Sequence, residues 1–412
     1  MSVTSRDVSR SFWILVLLAA ALLMITMGSR QSQGLFLSPL NTSTGLGIAS
    51  ISLAMAIGQF VWGVTQPIAG AIADRYGPGR VLAGGVILLA AGSAITPYMT
   101  SSAGLIFSLG ILIAAGSGAG SFSVLIGSAV RHVPPEKRGM AAGIINAGGS
   151  FGQFVFAPIT QKLISSLGWM GAMWSIALIS LAALPLTRAL RGKPVSAADQ
   201  ARAVVANPAD KGMRAALRDA VKDRSYLLLH AGFFTCGFHI AFLITHLPGE
   251  VQLCGQSAQV ASWSLAIIGL ANILGSLTAG WGTQRFRSKY ILFWMYASRT
   301  LLILVYLAAP KTALTFYLFA AGLGLTWLAT VPPTANIVGK LFGTRYLATL
   351  FGLTLLSHQI GAFFGAWLGG LAIVQLGDYA VMWYLDAGLA ALAALVNLPI
   401  REGPVAARLQ PA

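Results

Sequence analysis

The chain has 412 residues, of which 56% are hydrophobic and 9% charged, and its formal net charge is +16. A soluble domain carries roughly 25% charged residues, so this composition cannot cover a water-exposed globule and excludes soluble-enzyme, disordered and disulfide-scaffold classes. Twelve bilayer-length helices of about 20 residues would account for the apolar stretches.

Apolar runs bounded by charge, glycine or proline predict twelve spans. Met1 to Arg10 is short and polar. The apolar run that follows exceeds signal-peptide length and shows no small-residue cleavage site, so it is read as span 1, Phe12 to Leu37. Spans 2 to 6 are Gly45 to Ala73, Val81 to Tyr98, Gly104 to Val130, Gly139 to Ile164 and Trp169 to Thr187. The polar stretch 188–224 then holds nine basic residues, from Arg188 to Arg224. Spans 7 to 12 are Tyr226 to Pro248, Ala258 to Gly282, Tyr290 to Ala309, Ala313 to Val338, Tyr346 to Leu376 and Ala380 to Pro399. The expected organisation is an all-α membrane protein: a six-helix bundle over 1–187, a cytoplasmic linker over 188–224 and a second six-helix bundle over 225–412.

With both termini in the cytoplasm, every basic residue except Arg30, Lys162, Arg299 and Lys311 falls on that side, an asymmetry that fixes the orientation. The basic charge is then topogenic and faces lipid headgroups, not nucleic acid. Cys236 and Cys254 lie 18 residues apart along a helix, too far to bridge, and carry no redox or metal signal. Asn41-Thr42-Ser43 has the form of a glycosylation sequon, but a compact chain with very short loops reads as bacterial.

The two halves echo each other at an offset of roughly 210 residues. Gly70-Ala71-Ile72-Ala73-Asp74-Arg75-Tyr76-Gly77-Pro78-Gly79-Arg80 follows span 2, and Gly280-Trp281-Gly282-Thr283-Gln284-Arg285-Phe286-Arg287-Ser288-Lys289 follows span 8. Gly143 and Gly152 of span 5 align with Gly352 and Gly361 of span 11. Such a duplication places a substrate site between two pseudo-symmetric packs of six helices.

The Gly70-x-x-Ala73-Asp74-Arg75-x-Gly77-x-x-Arg80 loop, with its weaker second copy, resembles the signature of the major facilitator superfamily, and the resemblance runs through the whole chain. It implies alternating access by rocking of two bundles. Within that superfamily, Gly28-Ser29-Arg30-Gln31-Ser32-Gln33-Gly34-Leu35-Phe36-Leu37 looks like the monocarboxylate-porter branch, as does Ile267-Ile268-Gly269-Leu270-Ala271-Asn272. That branch typically carries an Asp or Asn in span 8 with an Arg four residues on. Here the pair is Asn272 and Ser276, so an anion must be held by other groups.

Ionisable residues inside apolar spans cost several kcal/mol each and so need a reason. Arg30 lies about 27 Å into span 1 on a face with Gln33 and Gly34, where a guanidinium could grip a carboxylate bidentately or snorkel outward. His239 and His246 share one face of span 7, and a path-lining imidazole could bind substrate or titrate; His230 reads as interfacial. Asn272 and the Ser357-His358-Gln359 run of span 11 are further substrate-binding candidates, with interhelical hydrogen bonding as the alternative. Asn146, with Ser150 and Gln153 on the same face of span 5, is the symmetric candidate from the first half. Arg299 and Asp386 lie in spans 9 and 12, away from the path the resemblance implies, and are expected to form a structural ion pair, with Asp386 as a proton carrier the competing reading. Gly70, Asp74, Arg75, Gly77 and Arg80 are read as a conformational gate, a latch across the cytoplasmic seam that breaks as the halves rock.

The glycines of span 4, Gly110, Gly116, Gly118 and Gly120, follow no strand and precede no P-loop lysine, so they read as helix packing. No cofactor, metal or enzymatic chemistry is expected. The favoured function is secondary active transport of a small organic anion, a mono- or dicarboxylate, by proton symport or anion exchange. The alternatives are efflux of amphipathic or hydrophobic compounds, suggested by Phe122, Phe234, Phe238, Trp263 and Trp327, and a transporter-like membrane sensor. The expected setting is the bacterial inner membrane, as a monomer, with the lipid bilayer, a small molecule and protons as partners.

Overall fold

A computed structural model describes residues 5–122, 124–125, 138–191, 213–343 and 347–404; these are helical apart from short turns and contain no strand. Helix is the form that lets an apolar run satisfy its own backbone in lipid. Helix α1 is Ser5–Gln31, prolonged by a tighter turn at Gln33–Phe36 and by Leu37–Thr44. Next come α2, Ile48–Tyr76, and α3, Pro78–Ile95, joined by Gly77 alone. Gly77 has a φ of 90°, and its N–H caps Ala73 O at 2.9 Å; Pro78, which has no N–H to satisfy, starts α3. Helix α4, Ser102–Ala119, contains a wide π-helical stretch at Ile106–Ile113.

Arg138–Ala182 is helical over 45 residues, yet Gly168, at φ 72° and ψ 169°, turns the chain back. A straight helix of that length would extend about 68 Å, more than twice the hydrocarbon core. Its two legs are α5 (138–167) and α6 (169–182), so eleven apolar segments supply twelve crossings. The second half holds α7, Arg224–Leu253; α8, Ala258–Gly282; α9, Ser288–Ala308; α10, Ala313–Phe342; α11, Leu347–Leu376; and α12, Ala380–Asn397. Helix α10 departs from the continuous span expected. It is broken between Thr326 and Val331. Pro332 and Pro333 follow directly and cannot donate to the carbonyls four residues back, which removes two rungs of the ladder.

Two apolar cores draw on the first half of the chain alone, one around Leu22, Val86 and Ile145 and one around Leu40, Leu109 and Ile176. The largest core is built mainly from α7 to α12, around Phe242, Tyr306 and Trp383. Both ends of the described chain lie on one face, called here the terminal face. There the segment after α12 ties in the second bundle: Glu402 accepts from the Lys289 N–H at 2.7 Å and pairs with Lys340 at 2.8 Å.

The seam between the bundles is built from small residues. On α2 and α11, a Cβ added to Gly63 would run into the Gln359 side chain, and one on Gly370 would strike Ser52. On α5 and α8, a Cβ at Gly269 would lie 2.7 Å from Ser150 O. Where α1 passes α7, Gly34 abuts the Ile244 carbonyl. All of these contacts lie in the middle or in the half opposite the terminal face. Toward the terminal face, a Cβ on Gly70, Gly143, Gly280 or Gly352 of these helices would meet no described atom within 4 Å outside its own stretch of helix. Among the described residues the seam is therefore closed in its middle and far half.

Candidate functional site

Arg30 sits where the closed half of the seam begins. It is 7% exposed, donates from Nη2 to Gln59 Oε1, and its guanidinium carbon lies 4.2 Å from the centre of the Trp62 ring. Gln59, Trp62, Gly63 and Gln66 fall at helical spacing on one face of α2, so a single helix presents an amide, an aromatic ring, a gap and a second amide. Gln359 of α11 fills the gap at Gly63, and its Nε2 lies 3.1 Å from His358 Nδ1. His358 and Gln359 are 6% and 2% exposed, and the Arg30 charge acts on the His358 ring. Among the described residues no carboxylate pairs with Arg30.

This region is rich in unused hydrogen-bonding capacity. His358 Nε2, Gln359 Oε1, Trp62 Nε1 and both amide atoms of Gln153 are buried without a partner. Buried polar atoms are normally satisfied, so a cluster of unsatisfied ones beside an unpaired guanidinium marks a place for a polar guest or water. A cleft of about 210 Å³ opens on the far face between Gly34, Ser38, Gln252 and Tyr379, but Arg30 does not line it. The guanidinium is sealed from that side.

The other expected binding groups are placed differently. His239 and Gly237 point roughly 200° apart around α7, and Gly237 is the one pressed against α11 at the His358 carbonyl. His239 consequently faces the interior of its own bundle, where Nδ1 meets Asp386 Oδ2 and the ring lies 5.8 Å from Trp327. His246 is likewise internal, bonded to Ala366 O at 2.7 Å and near the Tyr379 hydroxyl at 3.3 Å. His230 is half-buried and bonds Ser357 Oγ at 2.6 Å.

Asn272 is fully engaged, its Nδ2 donating to Ser150 Oγ at 2.8 Å across the seam while its Oδ1 accepts the Leu328 N–H at 2.9 Å. It acts as a clasp between α5, α8 and the break in α10, with neither end free for a ligand. Asn146 is half-buried one turn nearer the terminal face.

Arg299 and Asp386, expected to bond each other, take different partners. Asp386 goes to His239, whereas Arg299 Nη2 donates to Thr326 O at 2.7 Å and Trp327 O at 3.4 Å. The break in α10 frees those carbonyls, and a buried guanidinium finds acceptors there before it reaches a carboxylate. In the Gly70–Arg80 loop, Arg75 and Arg80 are exposed at the terminal face, Arg75 beside the Tyr76 ring at 5.3 Å. The Asp74 side chain lies outside the described residues. Gln59 and Trp62 were not anticipated; the signal available was an amide, an aromatic and a second amide at spacings of three and four inside an apolar run.

A family model described as Major Facilitator Superfamily matches residues 19–355. The chain belongs to that superfamily. Among relatives of this superfamily member, monocarboxylate transporter 13 of Bos taurus is 25% identical over 94% of this chain and 89% of its own length. The oxalate:formate antiporter of Oxalobacter formigenes is 24% identical over 89% of this chain and 86% of its own. A crystal structure of a D-xylose-proton symporter superposes with a TM-score of 0.75 at 14% identity, covering 95% of this chain and 98% of that one. At that identity the likeness concerns the fold. The chain is thus a multi-pass membrane transporter and not an enzyme.

Proposed function

We propose that this protein is a secondary active transporter of a small organic anion, a mono- or dicarboxylate, working by alternating access with coupling to protons or to a second anion. The observation that carries the reading is Arg30: a buried guanidinium with no carboxylate partner among the described residues, set beside unused amide and imidazole atoms of both bundles. A carboxylate would supply the missing countercharge and accept from the planar fork in two places. Gln59, His358 and Gln359 would orient it, and Trp62 would back the guanidinium. The named transport activities of the monocarboxylate and oxalate:formate relatives support the same guest class.

The orientation follows from charge: the terminal face carries most of the basic residues and is assigned to the cytoplasm of a bacterial inner membrane. On that assignment the closed half of the seam faces outward, and the exposed Arg75 and Arg80 belong to a latch that would re-form when the structure opens outward. Efflux of hydrophobic compounds draws little support from three of the five aromatics that suggested it. Phe238 and Trp327 are buried in the second bundle, and Phe234 packs on Phe364 with ring centres 6.2 Å apart.

The test is a thermal-stability screen of purified protein against formate, lactate, oxalate, succinate and benzoate, followed by counterflow in liposomes with any stabilising acid. Stabilisation by one or more acids that is absent in Arg30→Gln supports the reading. Transport of carboxylates by Arg30→Gln at the wild-type rate would overturn it.

A further inference from the structure

Three ionisable side chains at the centre of the second bundle have no part in the anion site. His239 on α7, Arg299 on α9 and Asp386 on α12 are each 0% exposed. His239 and Asp386 are in direct contact, and the Arg299 charge acts on the same imidazole. All three still keep unused polar atoms: His239 Nε2, Asp386 Oδ1, and Arg299 Nε and Nη1 are buried without partners. Ionisable groups this deep in a membrane protein call for a functional reason. With the imidazole neutral, guanidinium and carboxylate cancel and the cluster has no net charge. One added proton leaves it with a net charge of +1 in a medium of low dielectric, where charge is felt strongly by whatever it touches.

What it touches is the moving part. Arg299 holds the Thr326 and Trp327 carbonyls at the break in α10. Adjacent to them, the Leu328 N–H is held by Asn272, whose other end reaches Ser150 in the opposite bundle. A continuous run of hydrogen bonds therefore leads from the ionisable cluster to a contact that must break when the seam opens. Discontinuous helices in transporters are where ions and conformational change meet.

We propose that the His239–Asp386 pair is the proton-binding site of this transporter, and that Arg299 relays its charge state through the α10 break to the Asn272–Ser150 contact across the seam. This rests on the reading of the chain as an alternating-access transporter, not on the identity of its guest. Protonation gives Asp386 a cationic partner in His239 and sets that cation against Arg299, which is driven onto the α10 carbonyls. The charges acting on His239 are those of Asp386 and Arg299; around Arg299 lie Tyr296 on α9, itself against Cys236 on α7, and His358 on α11, which feels Arg299 as well as Arg30. Helix α10 offers only Thr326, Trp327 and Thr330, with Thr330 Oγ1 3.3 Å from Cys236 Sγ. Farther toward the far face, His246, Glu250, Tyr306 and Tyr379 form a separate group in which the Tyr306 hydroxyl donates to Glu250 Oε1 at 2.6 Å.

The experiment measures opening against pH with no organic anion present. Spin labels replace the exposed Tyr76 and Phe286, one in each bundle near the terminal face, in a Cys254→Ser background in which Cys236 stays buried. Distances are recorded in liposomes between pH 5 and 8. The expected result is a label distance that shifts with pH in the parent protein and stays constant in His239→Gln. Asp386→Asn should behave the same way. It leaves Arg299 without a carboxylate and is open to misfolding, so His239→Gln, which keeps both charges, decides the matter. A parent protein insensitive to pH, or a His239→Gln protein that keeps the full pH response, would overturn the proposal. A failed carboxylate screen counts against the anion reading and leaves this measurement standing.

Discussion

Replacing Arg30 by glutamine should separate binding from stability. A hydrogen bond to a charged group contributes about 1.5–3 kcal/mol, so losing the guanidinium grip weakens a carboxylate by roughly 10- to 150-fold. Ligand at 100 times Kd stabilises the folded state by about 2.7 kcal/mol; if Kd rises about 100-fold, the same concentration gives about 0.4 kcal/mol. The protein without ligand should respond in the opposite sense. Arg30 is a buried cation with one amide acceptor, one aromatic neighbour and no carboxylate among the described residues. Neutralising it relieves a desolvation cost, so Arg30→Gln should melt at or above the wild-type temperature. Differential scanning fluorimetry with and without the stabilising acid reads both effects. A variant that melts lower yet keeps the full ligand-induced shift would show that Arg30 is a structural residue, and the reasoning would fail.

Gly34→Ala places a methyl group against the backbone carbonyl of Ile244, so closure of the far side should be blocked. Transport should drop at least about tenfold, while a cysteine at Ser38 becomes more reactive toward an impermeant maleimide applied from the far side; unchanged labelling would contradict the closed geometry. Asn272→Ala strands the Leu328 N–H and should cost about 1–3 kcal/mol, more than Ser150→Ala, and thermal melts of the two single variants and the double should be non-additive. Arg299→Gln leaves Asp386 buried without its nearby cation and should destabilise by about 3–5 kcal/mol, with Arg299→Gln combined with Asp386→Asn recovering part of the loss; a double variant less stable than either single would argue against a shared cluster. Glu402→Gln removes both the Lys340 pair and the full charge at the start of α9, and chemical denaturation should register a loss of about 1 kcal/mol.

Much of the fold was legible because the bilayer dictates it: apolar length fixed the crossings, and Gly168 fell in the predicted gap between spans 5 and 6. The break in α10 was harder to see, because Pro332 and Pro333 disrupt the ladder one turn upstream of themselves, within a run that remains apolar. The partner of Asp386 was not legible either. Sequence spacing tells which residues share a face of one helix, but not which face meets which neighbour. The family resemblance puts His239 on the path because its helix lines it, yet a rotation of about 200° from Gly237 turns the ring into the bundle. The same limit hid Gln59 and Trp62, whose importance comes from what α1 and α11 bring against them.

Closing the far side by backbone against backbone has a consequence for what can be carried. Dispersion forces decay so steeply that a gap of 0.5–1 Å already forfeits about a quarter to a half of the attraction between facing atoms. Glycine offers no pliable side chain to bridge such a gap, so α1 and α7 either meet where Gly34 abuts the Ile244 carbonyl or gain almost nothing from approaching. A passenger slightly too bulky would prop the lips apart and forfeit the adhesion along the whole line, even if its charged end were held perfectly. Discrimination by size would then reside in the final ångström of shutting, and would show as slow turnover of oversized acids that nonetheless bind well.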